Sequence, residues 1–214
     1  HLYTVASSEW EWLENNPVRH VRRPKLPRGR VRFLDKDELS ALLRACHQSE
    51  HPCLYPIVVL AVSTGMRKGE MLGLRWQDVD LVRNRITLEQ TKNGDRRSVP
   101  LVGRARVAIG EHARVRRIDT PLVFPSRRKP SIPADLRKPW AKAVETAELA
   151  DFRFHDLRHT CASYLAMSGA TLAEISEVLG HKTLAMVKRY AHLSDSHTAK
   201  FVERMNGTMF DSVS

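Results

Sequence analysis

Apolar residues recur at three- and four-residue intervals through most of the chain, and this spacing is what most constrains the fold. The segments that carry it are residues 104–116, 134–147, 155–167, 172–179 and 184–191. An apolar stripe of this period is typical of helices that bury one face. We therefore predict a domain in which several helices pack around one core.

Three further helices are expected before these segments, the last of them a short one within MRKGEMLGLRWQDVDL. Asp35 is followed three residues later by Glu38, which is the pattern of a capping box at the start of a helix. Leucines follow it at helical spacing, namely Leu39, Leu42 and Leu43. The second helix is predicted over residues 54–63, with its end near Gly65.

One short part of the chain breaks the helical period. The segment RITLEQ, which begins at Arg85, alternates apolar and polar residues; TKNGDRR then supplies an Asn-Gly turn and SVPL a returning strand. Such a pattern favours a hairpin or meander. The predicted fold class is therefore mainly α with a small antiparallel β-sheet (α+β).

The charge of the chain limits its partners. Lys and Arg number 35 against 24 Asp and Glu, which leaves a formal charge of +11. An excess of positive charge attracts polyanions, so nucleic acid is the leading candidate for a partner. A basic surface that only keeps the protein soluble is the alternative. The longest apolar run, residues 57–62, suits a buried helix, and the sequence contains no membrane span.

The cysteines form no disulfide framework. Cys46, Cys53 and Cys161 make an odd number, which favours a reducing compartment. Two of them stand with His47 and His51 in the segment CHQSEHPC, but this spacing fits no standard zinc finger and a polar helix end explains it equally well. We predict no metal and no cofactor.

Composition divides the chain into three parts. Residues 1–31 are interpreted as the end of an upstream domain followed by a basic, proline-containing linker, and the start at His1 suggests a piece of a longer protein. The main domain is expected over residues 32–193. Residues 194–214 form a tail in which Phe201, Met205 and Met209 recur at four-residue spacing, so it either folds back or docks on a neighbour.

Two pairs of residues could bind a phosphate. Glu70 lies three positions after Arg67, so it can orient that guanidinium; an ordinary surface ion pair is the alternative. His155 and Arg158 have the same spacing and combine a bidentate donor with a group that can transfer a proton, although a solvated helix face would look alike.

Two residues near the end add to these pairs. His181 follows Gly180, a predicted helix stop, and can therefore reach out of the core. Tyr190 has three interpretations: a core aromatic packed with Met186 and Val187, a stacking platform for bases, or a nucleophile. Aromatic residues make up only 7% of the chain, which disfavours the stacking platform.

These residues stand in a characteristic order. Along the chain come Arg67 with Glu70, Lys92 in the hairpin turn, His155 and Arg158, His181 in LGH, and Tyr190 nine residues later. The set resembles the tyrosine recombinases, the phage-integrase type of site-specific DNA recombinase. The resemblance covers residues 32–193 and extends to neighbouring stretches such as TGMRKGEMLGLRWQDVDL.

The resemblance implies a role for each residue. Tyr190 would attack the scissile phosphate and form a 3′-phosphotyrosyl link, with His155 as the base or hydrogen-bond partner. Arg67, Arg158 and His181 would stabilise the phosphoryl oxygens, and Glu70 would orient Arg67. Lys92 would protonate the departing 5′-oxygen, although an ordinary solvated lysine is the alternative there.

The resemblance also implies a setting. It predicts double-stranded DNA as the substrate, a homotetramer on DNA and a monomer in its absence, and a tail that contacts the next protomer. Integration or excision of a mobile element in a bacterial cytoplasm is the expected function, with accessory DNA-bending or directionality proteins as further partners. The alternatives are a chromosome-dimer resolving recombinase, a type IB topoisomerase, or a DNA-binding regulator that keeps the fold without cutting.

Overall fold

The computed structural model describes residues 2–22, 32–88, 97–181, 183–193 and 195–210 of the 214. Within them, the residues up to 22 and those from 32 onward form two separate compact units. The first unit contains helix α1 (Leu2–Ser8) and a short 3₁₀ helix, Pro17–His20. Trp10 and Trp12 lie between these helices with their ring centroids 4.7 Å apart. Residues 23–31, which belong to the predicted linker, lie outside the described residues.

The second unit begins with the predicted capping box. In helix α2 (Lys36–His47), the Asp35 carboxylate accepts from Glu38 N at 2.8 Å, and the Glu38 carboxylate accepts from Asp35 N at 3.1 Å. These bonds satisfy N–H groups that a helix start otherwise leaves unpaired. Leu42, Ala45 and Cys46 form its buried face.

Helix α3 (Leu54–Thr64) lies at the centre of the domain. It is apolar on almost every side and contacts the helices before and after it in the chain. Gly65 ends it with a positive φ of 62°, a conformation in which glycine avoids the steric cost of a side chain. Helix α4 (Lys68–Leu72) starts directly after this turn, so the turn determines where Arg67 lies.

The predicted sheet is present with one additional strand. Strands β1 (Val79–Asp80), β2 (Arg85–Leu88) and β3 (Arg97–Pro100) pair antiparallel in that order, with Ile86 opposite Val99. Strand β1 was not predicted, because two residues are too few to show an alternating pattern. The predicted Asn-Gly turn lies outside the described residues.

Most of the remaining helices agree with the sequence prediction. They are α5 (Gly103–Arg114), α6 (Arg137–Thr146), α7 (Asp156–Met167), α8 (Leu172–Leu179) and α9 (Asp195–Phe210). Together with the sheet they confirm the predicted α+β class. None of the helices in the described part of the chain has both the length and the apolarity to cross a membrane.

The predicted continuous helix over residues 184–191 is wrong. The chain instead forms two 3₁₀ helices, Leu184–Met186 and Lys188–Leu193. A 3₁₀ helix has three residues per turn, so residues three apart lie on the same side. This geometry directs both Val187 and Tyr190 into the protein, and the Tyr190 N–H donates to the Val187 carbonyl at 2.9 Å.

The buried residues divide into a large cluster and a small one. The large cluster is formed around α3 by residues of α2, α5, α6 and the sheet. The small cluster contains Cys161, Ala162, Ala166, Ile175, Leu179, Val187 and Tyr190. Tyr190 is therefore held by α7 and α8 as well as by its own segment.

Candidate active site

Arg67 lies just before α4 and is held from two sides. Its backbone N–H donates to Glu70 Oε2 at 2.9 Å, and its Nη1 donates to Glu70 Oε1 at 2.8 Å. Glu70 therefore binds both the backbone and the guanidinium of Arg67. Nη2 donates to the carbonyl of Gly180, at the end of α8, at 3.3 Å. The predicted pairing of Arg67 with Glu70 is present, and the Arg67 side chain is 28% exposed.

Glu70 has a second partner, Arg97, which the sequence analysis did not single out. Arg97 Nη2 lies 3.1 Å from Glu70 Oε2, and the two side chains are only 10% and 9% exposed. Nη1 donates to the Val178 carbonyl at 3.3 Å. Burial lowers the Arg97 pKa, and Glu70 opposes this effect. Arg97 therefore connects β3, Glu70 and the end of α8.

A sequence signal for Arg97 existed. Residues two apart in a strand face the same side, and Arg97 stands two positions before Val99, which is fully buried. An arginine on the buried face of a strand needs an anionic partner. Glu70 is that partner.

Arg158 is the most enclosed cation of the site. It lies on α7 and is 5% exposed, and its Nη1 donates to the Gly65 carbonyl. Nη2 is buried without a hydrogen-bond partner among the described residues. Burial, followed by the charges of Arg67 and Arg97, lowers its pKa to about 10. An unpaired buried guanidinium nitrogen is costly, so this atom is poised for an anionic ligand.

His181 is fixed by the end of α8. Gly180 takes a left-handed conformation with a φ of 64°, and the His181 N–H then donates to the Ser176 carbonyl at 2.9 Å. Its Nδ1 is buried without a partner within the described ranges. Burial and the charges of Arg158 and Arg67 lower the His181 pKa to about 4. His181 is therefore neutral near pH 7 and can still donate one hydrogen bond.

His155 occupies the position before α7 and is exposed. Burial of part of its ring, together with the charge of Arg158, lowers its pKa. Its ring lies edge-on to that of His159, with the centroids 5.3 Å apart. The predicted base therefore borders the site.

Tyr190 is almost fully buried, with 2% of its surface exposed. Val187 shares its apolar cluster, as predicted, whereas Met186 is exposed and does not anchor the ring. The hydroxyl forms a short hydrogen bond with His159 Nδ1. Burial raises the Tyr190 pKa, while the charges of Arg189 and Arg158 lower it.

His159 is the second residue that the sequence analysis missed. Its spacing of four from His155 places both histidines on one helix face. The prediction from the sequence used this face only to pair His155 with Arg158. Burial, then the neighbouring His155, lowers the His159 pKa to about 4.

Lys92, the predicted proton donor, lies outside the described residues. Strands β2 and β3 flank its segment, and β3 carries Arg97 to Glu70. The role of Lys92 remains a prediction from the sequence.

The cysteine and histidine segment covers the last two residues of α2 and the turn before α3, with its cysteines in the core and His47 exposed. Cys46 and Cys53 are buried, and burial raises their pKa to about 12 and about 11. The His47 ring packs edge-on against Tyr55, 5.1 Å between centroids. Across the ranges given above, no group of three or more His, Cys, Asp or Glu side chains is arranged to hold a metal ion.

The fold and the site together define a class of protein. A helical domain with a three-stranded edge sheet brings two arginines, a neutral histidine and a tyrosine toward one region, where the charges of Arg67 and Arg158 act on His181 and the charge of Arg158 acts on Tyr190. Such a set can bind an anion with bidentate donors next to a nucleophile.

Comparisons with known proteins agree with this class. The family described as "Phage integrase family" matches residues 32–197, and the chain belongs to it. The Shufflon-specific DNA recombinase of Escherichia coli is 34% identical over 198 residues, which cover 90% of this chain and 48% of that protein. The integrase of Salmonella phage P22 is 30% identical over 230 residues, which cover 99% and 56%.

Solved structures share the fold. The crystal structure of XerA recombinase superposes with a TM-score of 0.68 at 28% identity, covering 86% of this chain and 67% of that one. The resemblance to tyrosine recombinases stated from the sequence is thus confirmed at the level of family and fold. The chain spans about half the length of the curated relatives it matches.

Proposed function

We propose that the chain is the catalytic part of a site-specific tyrosine recombinase that cuts and rejoins double-stranded DNA to integrate or excise a mobile element. The observation that carries this proposal is the buried Arg158 Nη2, which lacks a partner among the described residues and lies close enough to Tyr190 for its charge to lower the Tyr190 pKa. A phosphodiester oxygen would complete its hydrogen bonding. Family membership supports the same chemistry.

Tyr190 is the proposed nucleophile. Its hydroxyl oxygen attacks the scissile phosphorus, an Oη–P bond forms, and the bond from phosphorus to the 5′-oxygen breaks. The phenolic proton leaves to a base and the 5′-oxygen gains a proton, so charge and atoms balance. The resulting 3′-phosphotyrosyl link keeps a phosphodiester for the reverse attack by another 5′-hydroxyl.

Arg67 and Arg158 are the proposed oxyanion donors. A guanidinium offers parallel N–H groups that match two phosphate oxygens. Both guanidinium groups are preorganised, since Arg67 is fixed by Glu70 and Gly180 and Arg158 by Gly65. Preorganised donors stabilise charge that develops in the transition state without reorganising during the reaction.

His181 and Lys92 complete the proposed set. His181 is neutral near pH 7 and would donate a hydrogen bond to the same phosphate. Lys92 would protonate the 5′-oxygen as it leaves, from the turn between β2 and β3. His155, which is exposed and lies three positions before Arg158, is the residue that the family resemblance assigns to proton transfer or hydrogen bonding.

DNA is the proposed partner. The formal charge of +11 favours phosphate contacts that release condensed counterions. The basic linker within residues 1–31 would follow the backbone, residues 32–193 would carry the chemistry, and residues 194–214 would contact a neighbouring protomer. The bacterial cytoplasm, where an integrated element meets its chromosome, is the proposed location.

The tail supports a proposed assembly on DNA. On α9, the described apolar side chains Val202, Met205, Met209 and Phe210 are 49–60% exposed. These residues lie at helical spacing, and a stripe of this kind is typical of a surface that docks on a partner. From the family resemblance we propose a homotetramer on DNA and a monomer in its absence, with accessory DNA-bending or directionality proteins as further partners.

The alternatives share the fold. A chromosome-dimer resolving recombinase would use the same residues on another DNA site, and a DNA-binding regulator would bind without cutting. The proposed oxyanion donors Arg67 and Arg158 and the Tyr190 hydroxyl favour a cutting enzyme, because binding alone does not require a nucleophile beside the phosphate donors.

The test is covalent trapping. The protein is incubated with nicked suicide substrates carrying candidate attachment sites, and adducts are resolved on denaturing gels, with Tyr190→Phe as the matched variant. An adduct that forms with the unsubstituted protein and is lost in Tyr190→Phe supports the proposal. Specific binding without an adduct on any of these sites supports the regulator.

A further inference from the structure

The Tyr190 hydroxyl already has a partner that can receive its proton. The hydroxyl forms a short hydrogen bond with His159 Nδ1. The two ring centroids are 6.0 Å apart, and the ring planes are inclined to each other by 46°. The residues are 31 positions apart, one on α7 and one on the 3₁₀ segment Lys188–Leu193. The contact is therefore made by the tertiary fold and orients the phenol.

His155 has a different arrangement. It is exposed, and its ring packs edge-on against the His159 ring, with the centroids 5.3 Å apart. His155 therefore contacts the histidine that is hydrogen-bonded to Tyr190. Within the described residues, His155 makes no hydrogen bond to the Tyr190 hydroxyl. Since a general base must lie within hydrogen-bond reach of the proton that it removes, His159 satisfies the requirement in this structure and His155 does not.

The surroundings keep His159 neutral, so that its Nδ1 can accept a hydrogen bond, and the negative charge of a bound phosphate would raise its affinity for the proton. Burial lowers its pKa to about 4; His155, Arg189 and Arg158 act in the same direction, and Asp156 opposes them. The ring is thus neutral near pH 7. A neutral imidazole with its proton on Nε2 presents a lone pair at Nδ1, and the phenolic O–H can donate to it.

The same environment acts on the phenol. Tyr190 lies in an apolar cluster with Cys161 and Val187, where a phenolate is disfavoured, while Arg189 and Arg158 favour it. A base in direct contact is therefore needed at the moment of attack, because the free phenolate is scarce at neutral pH.

We propose that His159, rather than His155, is the general base that takes the Tyr190 proton during attack on the scissile phosphate. The proton moves from Tyr190 Oη to His159 Nδ1 as the Oη–P bond forms and the bond to the 5′-oxygen breaks; in the rejoining step it returns. His155 is then left to interact with the phosphate or to pack against His159. This inference rests on the proposed function.

The first test measures the rate of covalent adduct formation in three variants. His159→Ala removes the acceptor, and His159→Asn keeps an acceptor oxygen near the Nδ1 position but cannot hold the proton. His47→Ala, an exposed histidine outside the site, is the matched control. We expect both His159 variants to be slower by roughly 10²-fold or more, and His47→Ala to be unchanged. A His159→Asn rate near that of the unsubstituted protein would overturn the proposal, because positioning alone would then suffice.

A modified substrate distinguishes the loss of a general base from the loss of a general acid. Replacing the bridging 5′-oxygen by sulfur gives a leaving group that departs without a proton, so it relieves the loss of an acid but not the loss of a base. The defect of His159→Ala should persist on this substrate. Full recovery of its rate would overturn the assignment of His159 as the base.

The second test needs no DNA and no activity. Nitrogen-15 NMR of the intact protein reports the tautomer of His159, with Tyr190→Phe as the partner variant. We expect a proton on Nε2, an unprotonated Nδ1, and a shift of the Nδ1 resonance in Tyr190→Phe. A proton on Nδ1 would overturn the inference even if the protein cuts DNA. Absence of cutting by the unsubstituted protein would instead contradict the proposed function, so the two failures are distinguishable.

Discussion

Gly180 lies directly against the guanidinium of Arg97. A Cβ atom built on Gly180 would lie 2.1 Å from Arg97 Nη1 and 2.8 Å from its Cδ. Arg97 cannot retreat freely, because Glu70 and the Val178 carbonyl hold it. This contact links the residue before His181 to the ion pair that orients Arg67. A small change at Gly180 should therefore shift both Arg67 and His181, two of the proposed phosphate donors.

Gly180→Ala tests this link, and Gly103→Ala is the matched control. Both glycines have a positive φ, 64° and 55°, but nothing lies within 4 Å of a Cβ at Gly103. Each substitution should lower the free energy of unfolding by about 1–2 kcal/mol for the backbone conformation alone. Only Gly180→Ala should also slow adduct formation, by roughly 10²-fold, because it displaces Arg97. Equal cleavage rates in the two variants would contradict the link.

Arg97→Gln should weaken both the fold and the site. The substitution removes one of two cationic partners of the nearly buried Glu70 and should lower the free energy of unfolding by about 1.5–3 kcal/mol, measured by urea denaturation. Arg137→Gln is the control, since Arg137 pairs with Asp135 at the surface with 83% of its side chain exposed. That variant should stay within about 0.5 kcal/mol of the unsubstituted protein. A similar small effect in Arg97→Gln would show that Arg67 alone satisfies Glu70.

Stability should fall as the pH drops from about 6.5 toward 4. The pKa values of His159 and His181 are both lowered to about 4 from an ordinary value of 6.5. The unfolded chain therefore binds more protons than the folded one within this window, and protonation favours unfolding. Urea denaturation between pH 7 and 4.5 measures the slope.

His159→Asn provides the control for this dependence, because asparagine does not titrate. The slope between pH 6.5 and 4.5 should decrease in this variant. Carboxylates such as Glu38, whose pKa is lowered from 4.5, lose their contribution mainly at lower pH. An unchanged slope would mean that the His159 pKa is not depressed.

The apolar stripe of α9 should act between protomers. Met205→Ser with Met209→Ser replaces two exposed side chains, so the free energy of unfolding should change by less than about 0.5 kcal/mol per site. The cooperativity of complex formation on DNA, measured by gel shift, should decrease. Val82→Ser is the control, because Val82 is 92% exposed and lies in the turn between β1 and β2, away from α9 in the chain. Unchanged cooperativity in the double variant would remove the proposed role of the tail.

The sequence predicted the helices and the family because both leave local signals. Capping residues mark the start of α2, glycines mark the ends of α3 and α8, and apolar spacing marks the faces between them. The ion pair of Arg67 with Glu70 was also foreseeable, since residues three apart share a helix face.

The missed parts of the site depend on tertiary contacts. Arg97 reaches Glu70 across 27 positions and His159 reaches Tyr190 across 31, and no periodicity links such distant residues. The predicted helix through Tyr190 failed for a related reason. The apolar spacing of Val187 and Tyr190 fits an α-helix and a 3₁₀ helix equally well. In the structure the segment forms 3₁₀ helices, and these two residues pack against α7 and α8.

Peptide mapping of the trapped adduct identifies the residue that bonds to DNA, which we propose to be Tyr190. The adduct is digested with protease and nuclease, and the modified peptide is sequenced by mass spectrometry, with Tyr164→Phe and Tyr190→Phe analysed in parallel. The assignment of Tyr190 as the nucleophile predicts a nucleotide on the peptide that contains Tyr190, formed equally well by Tyr164→Phe and absent from Tyr190→Phe. A nucleotide on any other residue, or one that persists in Tyr190→Phe, would contradict it.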